Sequence, residues 1–524
     1  MRTSWFKYFY IWLLSTIAIT LFIAFVVLLV YFDANAWIGI TTVFIAWFII
    51  SCITSFFIFN SERLLNVKLC WILWVMCFPL LGLIIFYWFG IFPFKKNKLK
   101  EYSKLLNAYY DKEQFKFTKE FLNSVQTNKD IKKAFKYGLN INQPILLNND
   151  LVLLDHIDEF YNAIMQTIND AKKFINVQTY IVKKSAFFNV LADLLIKKAH
   201  EGIKINFMYD WIGGLINNPK TKINEMKKAG INVATFNTFR FNPFTGQTNY
   251  RSHRKCLIVD NKIAIYGGSN LSDDYFNLVM KNNFWKDINI KIEGEIVNSL
   301  NIMFAIDWQN YTLNSINRNI KNIFINNKEF YFSKNKEIHL QNNICQMVES
   351  SPLLKENTIH DIIINLIGLA NERIWIITPY FYPSDDILNQ LVAAAYAGID
   401  VRIIVPGNVD DKKYILLINR YNYKRLLNAG VKIYEYFGFM HGKEVIIDND
   451  LSLMGTFNFD HRSLYTNFET ALLVNNKEWN LTLINEFLEL SKTSKLITKS
   501  EWYKTQTWIN KIKVKIFNLI HPLF

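Results

Sequence analysis

The order of several short segments occurs twice along the chain, and this repetition limits the possible folds more than any other feature. A helix end that runs into an apolar strand is found at 171–180 and again at 370–380. Glycine followed by alternating apolar residues opens a strand at 202–208 and at 398–404. An Ala-Gly pair before a further strand, and then a His-x-Lys motif, follow in each copy. Four segments in the same order indicate an internal duplication. Strands alternating with helices predict α/β architecture in both halves, each a mixed sheet flanked by helices.

Each half closes with a His-x-Lys motif in a predicted β-hairpin, in which two apolar strands flank an Asp-Asn turn. The motif residues are His253, Lys255 and Asp260 in the first copy, and His441, Lys443 and Asp448 in the second. A lone His-x-Lys carries almost no information, because it also occurs on ordinary surface strands. Two copies with matching spacing at the ends of duplicated halves predict one catalytic site.

The register of each hairpin assigns its side chains to faces. A two-residue loop at 261–262 predicts three opposed pairs: Asp260 with Ile263, Lys255 with Gly268, and His253 with Asn270. A loop at 449–450 predicts the same pairing in the second copy: Asp448 with Leu451, Lys443 with Thr456, and His441 with Asn458. Because opposed residues share a face, His, Lys and Asn would converge, with the small Gly268 or Thr456 leaving room opposite each lysine. The aspartates fall on the other parity and are interpreted as turn and support members of the catalytic motif.

The convergent residues suit phosphate chemistry. Lysine supplies positive charge for phosphoryl oxygens, and the amides of Asn270 and Asn458 are predicted to bind the substrate phosphate. Histidine attacks phosphorus or moves a proton near neutral pH. No Asp, Glu or His arrangement for a divalent ion stands beside the motifs, so metal-independent chemistry without a cofactor is favoured.

An acidic residue follows each motif, Asp287 after the first and Glu469 after the second. A carboxylate bonded to the far nitrogen of an imidazole would fix its tautomer and stabilise its cationic form. The two acids are therefore predicted to orient the histidines, although ordinary surface acids would look the same in the sequence.

The first ninety residues contain three long apolar runs, at 9–32, 37–59 and 69–92. Each reaches the roughly 20 residues needed to span a bilayer, so residues 1–94 are predicted to be a transmembrane anchor of two or three segments. A cleavable signal peptide is the alternative for the first run. Pro79 and Gly82 make the third run a candidate for a broken or re-entrant segment. Lysines and arginines beside the runs favour a multi-pass cell-membrane protein whose catalytic region is cytoplasmic.

The net charge and the positions of the cysteines restrict the kinds of partner and site that the chain is expected to have. The formal net charge of +15 favours an anionic partner, either nucleic acid or an acidic membrane surface, although solvated lysines account equally well for much of it. The five cysteines form no CxxC pair or metal-like cluster, which indicates core filling. A basic linker is predicted at 95–145, followed by a first half at 146–340 and a second at 341–524.

The paired motifs resemble those of the phospholipase D superfamily, and the whole chain resembles the bacterial cardiolipin synthases. Segments similar to those typical of that family are Phe78–Gly82, Tyr87–Gly90, Asn249–Lys255, Gln346–Pro352, Thr378–Phe381, Asp460–Ser463 and Asn467–Glu469. Two positions depart from the family: Ser351 stands where a glycine is usual, and Gly268 where the second-copy pattern has Ser or Thr.

The resemblance implies an integral membrane enzyme that uses two phosphatidylglycerol molecules and anionic lipid, with no nucleic acid as partner. One histidine, by family usage His253, would form a phosphohistidine and release glycerol, and the second lipid would then attack that intermediate. The other histidine would move the proton. The alternatives are a phospholipase D hydrolase using water, a nuclease of the same superfamily, and a non-catalytic membrane scaffold.

Overall fold

The chain divides into two compact units. One comprises residues 1–95, 239–249 and 515–524, and the other comprises residues 96–238 and 250–514. The computed structural model describes residues 36–61, 63, 65–90, 129–238, 250–279, 284–312, 320, 322–332, 343–354, 356–408 and 413–520. The apolar run 9–32 lies outside the described residues, as does most of the predicted linker.

The first unit contains three described helices: α1 Ala36–Phe59, α2 Leu65–Cys77 and α3 Pro79–Ile85, followed by a π-helical turn at Phe86–Gly90. Within α1, the segment Thr41–Phe59 is the one stretch among the described residues that is long and apolar enough to cross a membrane. The third apolar run is interrupted, because Pro79 begins a new helix and cannot continue the hydrogen bonding of α2. The break predicted at Pro79 is therefore present.

The first half of the second unit is built on a seven-stranded sheet of order β2-β9-β7-β6-β3-β4-β5, in which β3, β4 and β5 are parallel. The elements up to residue 331 are α4 Lys129–Asn140, β1 Ile145–Leu146, β2 Asn149–Leu154, α5 Ile157–Asn169, β3 Phe174–Thr179, α6 Ala186–His200, β4 Lys204–Asp210, α7 Lys220–Lys228, β5 Asn232–Phe236, β6 Cys256–Val259, β7 Ile263–Gly267, β8 Trp285–Lys286, β9 Asn289–Gly294, α8 Glu295–Tyr311, α9 Ile323–Asn326 and α10 Lys328–Tyr331.

The second half is built on a nine-stranded sheet of order β1-β10-β17-β16-β15-β11-β12-β13-β18, in which β11, β12 and β13 are parallel. Its elements are β10 Ile344–Ser350, α11 Thr358–Leu369, β11 Arg373–Ile377, α12 Asp385–Tyr396, β12 Asp400–Pro406, α13 Lys413–Asn419, α14 Tyr423–Asn428, β13 Lys432–Tyr436, β14 Phe439–Met440, β15 Glu444–Ile447, β16 Leu451–Gly455, α15 His461–Tyr465, β17 Glu469–Asn475, α16 Lys477–Lys492, β18 Ser494–Leu496, α17 Lys499–Thr505 and α18 Trp508–Ile520.

Helix α8 connects the two sheets. Helix α8 is apolar around most of its circumference and is buried over nearly its whole length, in contact with strands of both sheets. Helix α4 lies in the stretch 95–145 that is predicted to be a linker, and strand β1 crosses the predicted boundary between this linker and the first half. The structure places β1 against β10, and α4 contributes Phe135 and Leu139 to the core of the second half.

The turns of both motif hairpins begin one residue earlier than predicted. Val259 pairs with Ile263, and Ile447 with Leu451, so the loops are 260–262 and 448–450. The predicted two-residue loops, and the opposed pairs derived from them, are therefore wrong. The physical reason is that both motif aspartates adopt left-handed backbone conformations, with φ of 55° at Asp260 and 50° at Asp448, which end the strands.

Candidate active site

The two motif histidines come together because each backbone segment that carries one pairs with the opposite half. The amide of His253 donates to the carbonyl of Phe468 at 2.9 Å, and the amide of Phe468 donates to Arg251 at 2.9 Å. In the other half, the amide of His441 donates to the carbonyl of Lys286 at 2.7 Å. Strands β14 and β8 form a short parallel pair at this point. These reciprocal bonds hold the motifs side by side.

The orienting carboxylates are exchanged between the halves as a direct result. Phe468 precedes Glu469, and Glu469 lies 3.0 Å from Nδ1 of His253. Lys286 precedes Asp287, which lies 2.6 Å from Nδ1 of His441. Both predicted acids therefore contact a motif histidine, but each contacts the histidine of the opposite copy rather than the one that it follows in the sequence.

The surroundings of His253 settle its tautomer. Its Nδ1 also lies 2.9 Å from the carbonyl oxygen of Thr456, which can only accept a hydrogen bond. Nδ1 must therefore carry the proton and donate, and the lone pair of Nε2 is left for chemistry. Glu469 is in turn held by the hydroxyls of Thr456 at 2.6 Å and Ser463 at 2.7 Å.

Aromatic rings line both histidines. The ring of Tyr180 lies edge-on to His253 at 5.3 Å between centroids. Tyr275 and Trp285 lie 5.3 Å and 5.6 Å from His441. These rings remove water from the imidazoles and restrict their orientation. Burial therefore dominates the electrostatics of the site.

The motif lysines are buried beside the histidines. Nζ of Lys255 donates to the carbonyl of His253 at 2.6 Å and lies 5.7 Å from the centre of the Tyr180 ring. Nζ of Lys443 lies against the ring of His441, 2.9 Å from Nδ1 and 3.4 Å from Nε2, and donates to the carbonyl of the same residue. The four side chains form one cluster of positive and neutral groups.

Burial lowers the pKa of Lys255 to about 7 and that of Lys443 to about 8, against the opposing charges of the nearby carboxylates. Burial, with the charge of Lys443, also lowers the pKa of His441 to about 3, and burial lowers the pKa of His253. Both imidazoles are therefore neutral at neutral pH before a substrate binds. Although burial acts to raise the pKa of each orienting acid, the adjacent histidine and lysine lower it overall, so both acids are ionised.

The motif aspartates lie at the turns. The carboxylate of Asp260 accepts hydrogen bonds from the backbone amides of residues 172–174, each at 2.8 Å. Asp448 accepts from the amides of residues 371–373 at 2.7–3.1 Å. Each aspartate thus ties its hairpin to the start of the neighbouring strand, β3 or β11.

The two predicted phosphate-binding asparagines have different neighbours. The side-chain oxygen of Asn270 accepts from the amide of Ile181 at 3.0 Å, and its amide nitrogen donates to the Tyr275 hydroxyl at 2.7 Å. The side chain of Asn458 is hydrogen-bonded to Asp460. Both side-chain amides therefore support the loops that border the cluster.

Gly268 provides space for Asp287 and for Lys443 of the opposite half rather than for Lys255. A Cβ atom at this position would lie 2.5 Å from Oδ1 of Asp287 and 2.9 Å from Nζ of Lys443. A side chain at residue 268 would therefore require Asp287 and Lys443 to shift from these positions. Among the described residues, no group of three or more His, Cys, Asp or Glu side chains is arranged to hold a metal ion.

Comparison with known proteins identifies the family. The model described as "Cardiolipin synthase, PLD-like domain" matches residues 164–308 and 363–491, one segment in each half. The chain belongs to this cardiolipin synthase family, within the phospholipase D superfamily. The cardiolipin synthase of Halalkalibacterium halodurans is 30% identical over 89% of this chain and 90% of its own length. That of Clostridium perfringens is 32% identical over 86% of this chain and 93% of its own length.

The fold of this cardiolipin synthase family member also has a counterpart among solved structures. Phosphatidylserine synthase from Haemophilus influenzae superposes with a TM-score of 0.58 at 16% sequence identity, over 76% of this chain and all of that one. At that identity the likeness concerns the mixed α/β fold alone.

Several residues at the site were not predicted from the sequence. Tyr180, Tyr275 and Trp285 contact the histidines, and Thr456 and Ser463 hold Glu469. Ser463 and Tyr180 lie in segments that the sequence marks, the first within Asp460–Ser463 and the second at the end of 171–180. Thr456 lies in the second hairpin, where the sequence predicted only space opposite Lys443. The contacts of Tyr275 and Trp285 with His441 have no local pattern, because the other half supplies these rings.

Proposed function

We propose that the chain is a cardiolipin synthase that transfers a phosphatidyl group from one phosphatidylglycerol to another and releases glycerol. The observation that supports this most strongly is the single cluster of two histidines, two buried lysines and two exchanged carboxylates, in a chain of this family. Buried lysines without a phosphate in contact are costly, and an anionic phosphodiester between them would stabilise their charged forms.

His253 is the proposed nucleophile. Its Nε2 lone pair is free, and its side chain is 12% exposed, whereas that of His441 is 6% exposed and has the ammonium of Lys443 against its ring. Nε2 of His253 would form a bond to phosphorus as the bond from phosphorus to the glycerol oxygen breaks. Lys255 and Lys443, with the second N–H of Asn270 and of Asn458, would bind the phosphoryl oxygens.

His441 is the proposed acid and base. A bound phosphodiester anion opposes the lysine charge that lowers the pKa of His441, so we expect this imidazole to take up a proton together with the substrate. It would give that proton to the departing glycerol oxygen. It would then accept the proton of the second lipid's hydroxyl as that oxygen attacks phosphorus and the bond to His253 breaks. Asp287 stabilises the imidazolium in between.

We also propose a domain organisation for the chain around this site. The two sheets have matching strand orders, with β9-β7-β6-β3-β4-β5 in one and β17-β16-β15-β11-β12-β13 in the other, which supports two duplicated halves at 146–340 and 341–524. Residues 1–94 are proposed to be a multi-pass anchor joined by the 95–145 segment to a cytoplasmic catalytic region. Helix α1 supports at least one span. Labelling of a cysteine introduced at the exposed Asn60, directly after α1, from each side of the membrane tests the topology.

Lipid analysis after expression in a bacterial host that lacks cardiolipin tests the function. We expect cardiolipin from the unsubstituted chain and from His200→Ala, an exposed histidine outside the cluster. We expect none from His253→Ala or from His441→Ala. Purified enzyme that converts phosphatidylglycerol to phosphatidic acid without cardiolipin would instead assign the hydrolase reaction. Substantial turnover by either alanine variant would contradict a single site with two histidines.

A further inference from the structure

Six exposed apolar side chains lie on loops close to the histidines. This set, the apolar rim, comprises Leu215 at 53% exposure, Ile216 at 78%, Leu278 at 59%, Val279 at 43%, Phe284 at 41% and Phe437 at 59%. Single exposed apolar residues are ordinary on a protein surface, but several grouped around a functional site mark an interaction surface. The loops that carry them adjoin Tyr180, Tyr275 and Trp285, the residues whose rings contact the two imidazoles.

The first part of the apolar rim lies on a loop that packs against Tyr180, the tyrosine that contacts His253. Leu215 and Ile216 lie in the loop after β4, at the carboxyl end of the parallel strands. Gly213 packs so closely on the carbonyl of Tyr180 that any side chain there would collide with it. The amide of Lys184 donates to the carbonyl of Asn217 at 2.8 Å, which fixes the other end of the loop.

The second part of the rim is attached to the strand pair that holds His441. Asn277, which precedes Leu278 and Val279, exchanges hydrogen bonds of 2.8 Å and 2.9 Å with the backbone of Trp285. Phe284 precedes Trp285, and its carbonyl accepts from the amide of Phe439 at 2.9 Å. Phe437 lies two residues before Phe439, so all four side chains lie within a few residues of a ring or strand that contacts His441.

The charges beside the rim indicate what it binds. Exposed Lys184 and Lys220 flank the loop that carries Ile216, and residues 211–220 contain no acidic side chain. An apolar tip between lysines suits the boundary between acyl chains and anionic headgroups. The same chain carries a helix long and apolar enough to cross a membrane, so a bilayer is available to the chain.

We propose that the apolar rim inserts into the surface of an anionic bilayer, so that a lipid phosphodiester reaches the histidine cluster while its acyl chains stay in the membrane. This inference rests on the proposed function for the identity of the substrate. Insertion of the rim itself is a physical property that can be measured without any turnover.

Site-specific fluorescence in the full-length protein tests the insertion. In a Cys52→Ser, Cys77→Ser background, an environment-sensitive dye is placed at Ile216→Cys, at Phe437→Cys or at Tyr396→Cys, and the protein is reconstituted into vesicles containing phosphatidylglycerol and a spin-labelled lipid. Tyr396 is the matched control: it is 69% exposed, but it ends α12, which returns the chain to the opposite end of the parallel strands.

We expect the spin-labelled lipid to quench the dye at 216 and 437 at least about threefold more than at 396, because the quencher resides in the acyl region. Equal quenching at the three positions would overturn the proposal. So would disulfide formation between copies at Ile216→Cys without quenching, which would assign the rim to a second copy of this chain.

Comparison of turnover on two forms of the substrate distinguishes the role of the apolar rim from the chemical step. The double variant Ile216→Ser, Phe437→Ser should lower the ratio of turnover on bilayer phosphatidylglycerol to turnover on dispersed short-chain phosphatidylglycerol by about tenfold. Tyr396→Ser should leave that ratio unchanged. Equal loss on both substrates would contradict membrane docking. Absence of transfer by the unsubstituted chain on both substrates would contradict the proposed function instead, and the quenching result would still decide the rim.

Discussion

Lys255→Met should stabilise the folded protein while abolishing its activity. Lys255 is buried, and its pKa is lowered from the ordinary 10.5 to about 7, mainly because burial removes water from the ammonium. One pKa unit corresponds to about 1.4 kcal/mol, so keeping this lysine charged in the fold would cost about 5 kcal/mol. Because about half of the folded molecules release the proton at pH 7, burial of the lysine costs about 4 kcal/mol there. Methionine has similar length and no charge. It loses the hydrogen bond to the His253 carbonyl, worth about 1 kcal/mol, so the net gain is about 3 kcal/mol.

The sign of the pH dependence follows from the same values. Between about pH 7 and 10.5 the unfolded chain binds the lysine proton and the folded chain does not, so the stability of the unsubstituted protein rises with pH in this window. The advantage of the methionine variant is therefore largest below pH 7 and disappears as the pH approaches 10.5. A protein of this size gains about 1–2 °C in Tm per kcal/mol, so we expect an increase of about 3–6 °C at pH 7.

Thermal unfolding of the full chain in detergent, at pH 6.5 and pH 9.5, measures both effects, and cardiolipin formation measures activity. Lys424→Met, at an exposed lysine, is the control and should change neither quantity. A Tm of the Lys255→Met variant below that of the unsubstituted protein, or a gain that is the same at both pH values, would refute the electrostatic argument. Retained turnover would refute the role of the charge in binding phosphate.

Three further predictions concern the same cluster. Gly268→Ala should lower turnover at least about a hundredfold, because its Cβ would displace Asp287 and Lys443, which both contact His441. Gly368→Ala, where a Cβ has open space, should not lower it. Double-mutant cycles on thermal stability should give a coupling free energy of about 1–3 kcal/mol between His253 and Glu469, and none between His253 and Asp287. Coupling of His253 to Asp287 instead of Glu469 would contradict the exchange of the carboxylates between the halves. Finally, kcat/KM should fall as the pH rises through about 7 to 8, because both motif lysines lose their charge there in the free enzyme, and a flat profile to pH 10 would count against this.

Local features of the chain could be predicted from the sequence because they depend on neighbouring residues. The glycines that precede two of the predicted strands end the helices before them, with left-handed φ of 90° at Gly202 and 94° at Gly398. The alternation of strands and helices gave the α/β class, and Pro79 marked a helix break. Both motif histidines, both lysines and both acids were recognised as site candidates from spacing alone.

The register of the two hairpins could not be predicted from the residues of the hairpins themselves. An Asp-Asn pair is compatible with a turn that starts at either residue. The choice is made by three backbone amides, at residues 172–174 and again at 371–373, which bind the aspartate carboxylate and draw it out of the strand. These amides lie about 75–90 residues away along the chain, so no pattern within the hairpin indicates them.

The order of residues in the chain is therefore enough to identify the chemical groups of the site and the repeated motifs that carry them. Which of these groups contact one another depends on the folded chain. His253 meets Glu469 across 216 residues, and His441 meets Asp287 across 154, because each histidine segment pairs its backbone with the strand before the opposite acid. Burial of the two lysines also arises only when the halves close on each other. Such pairings and desolvation depend on the packing of distant segments, which the order of residues in each motif does not specify.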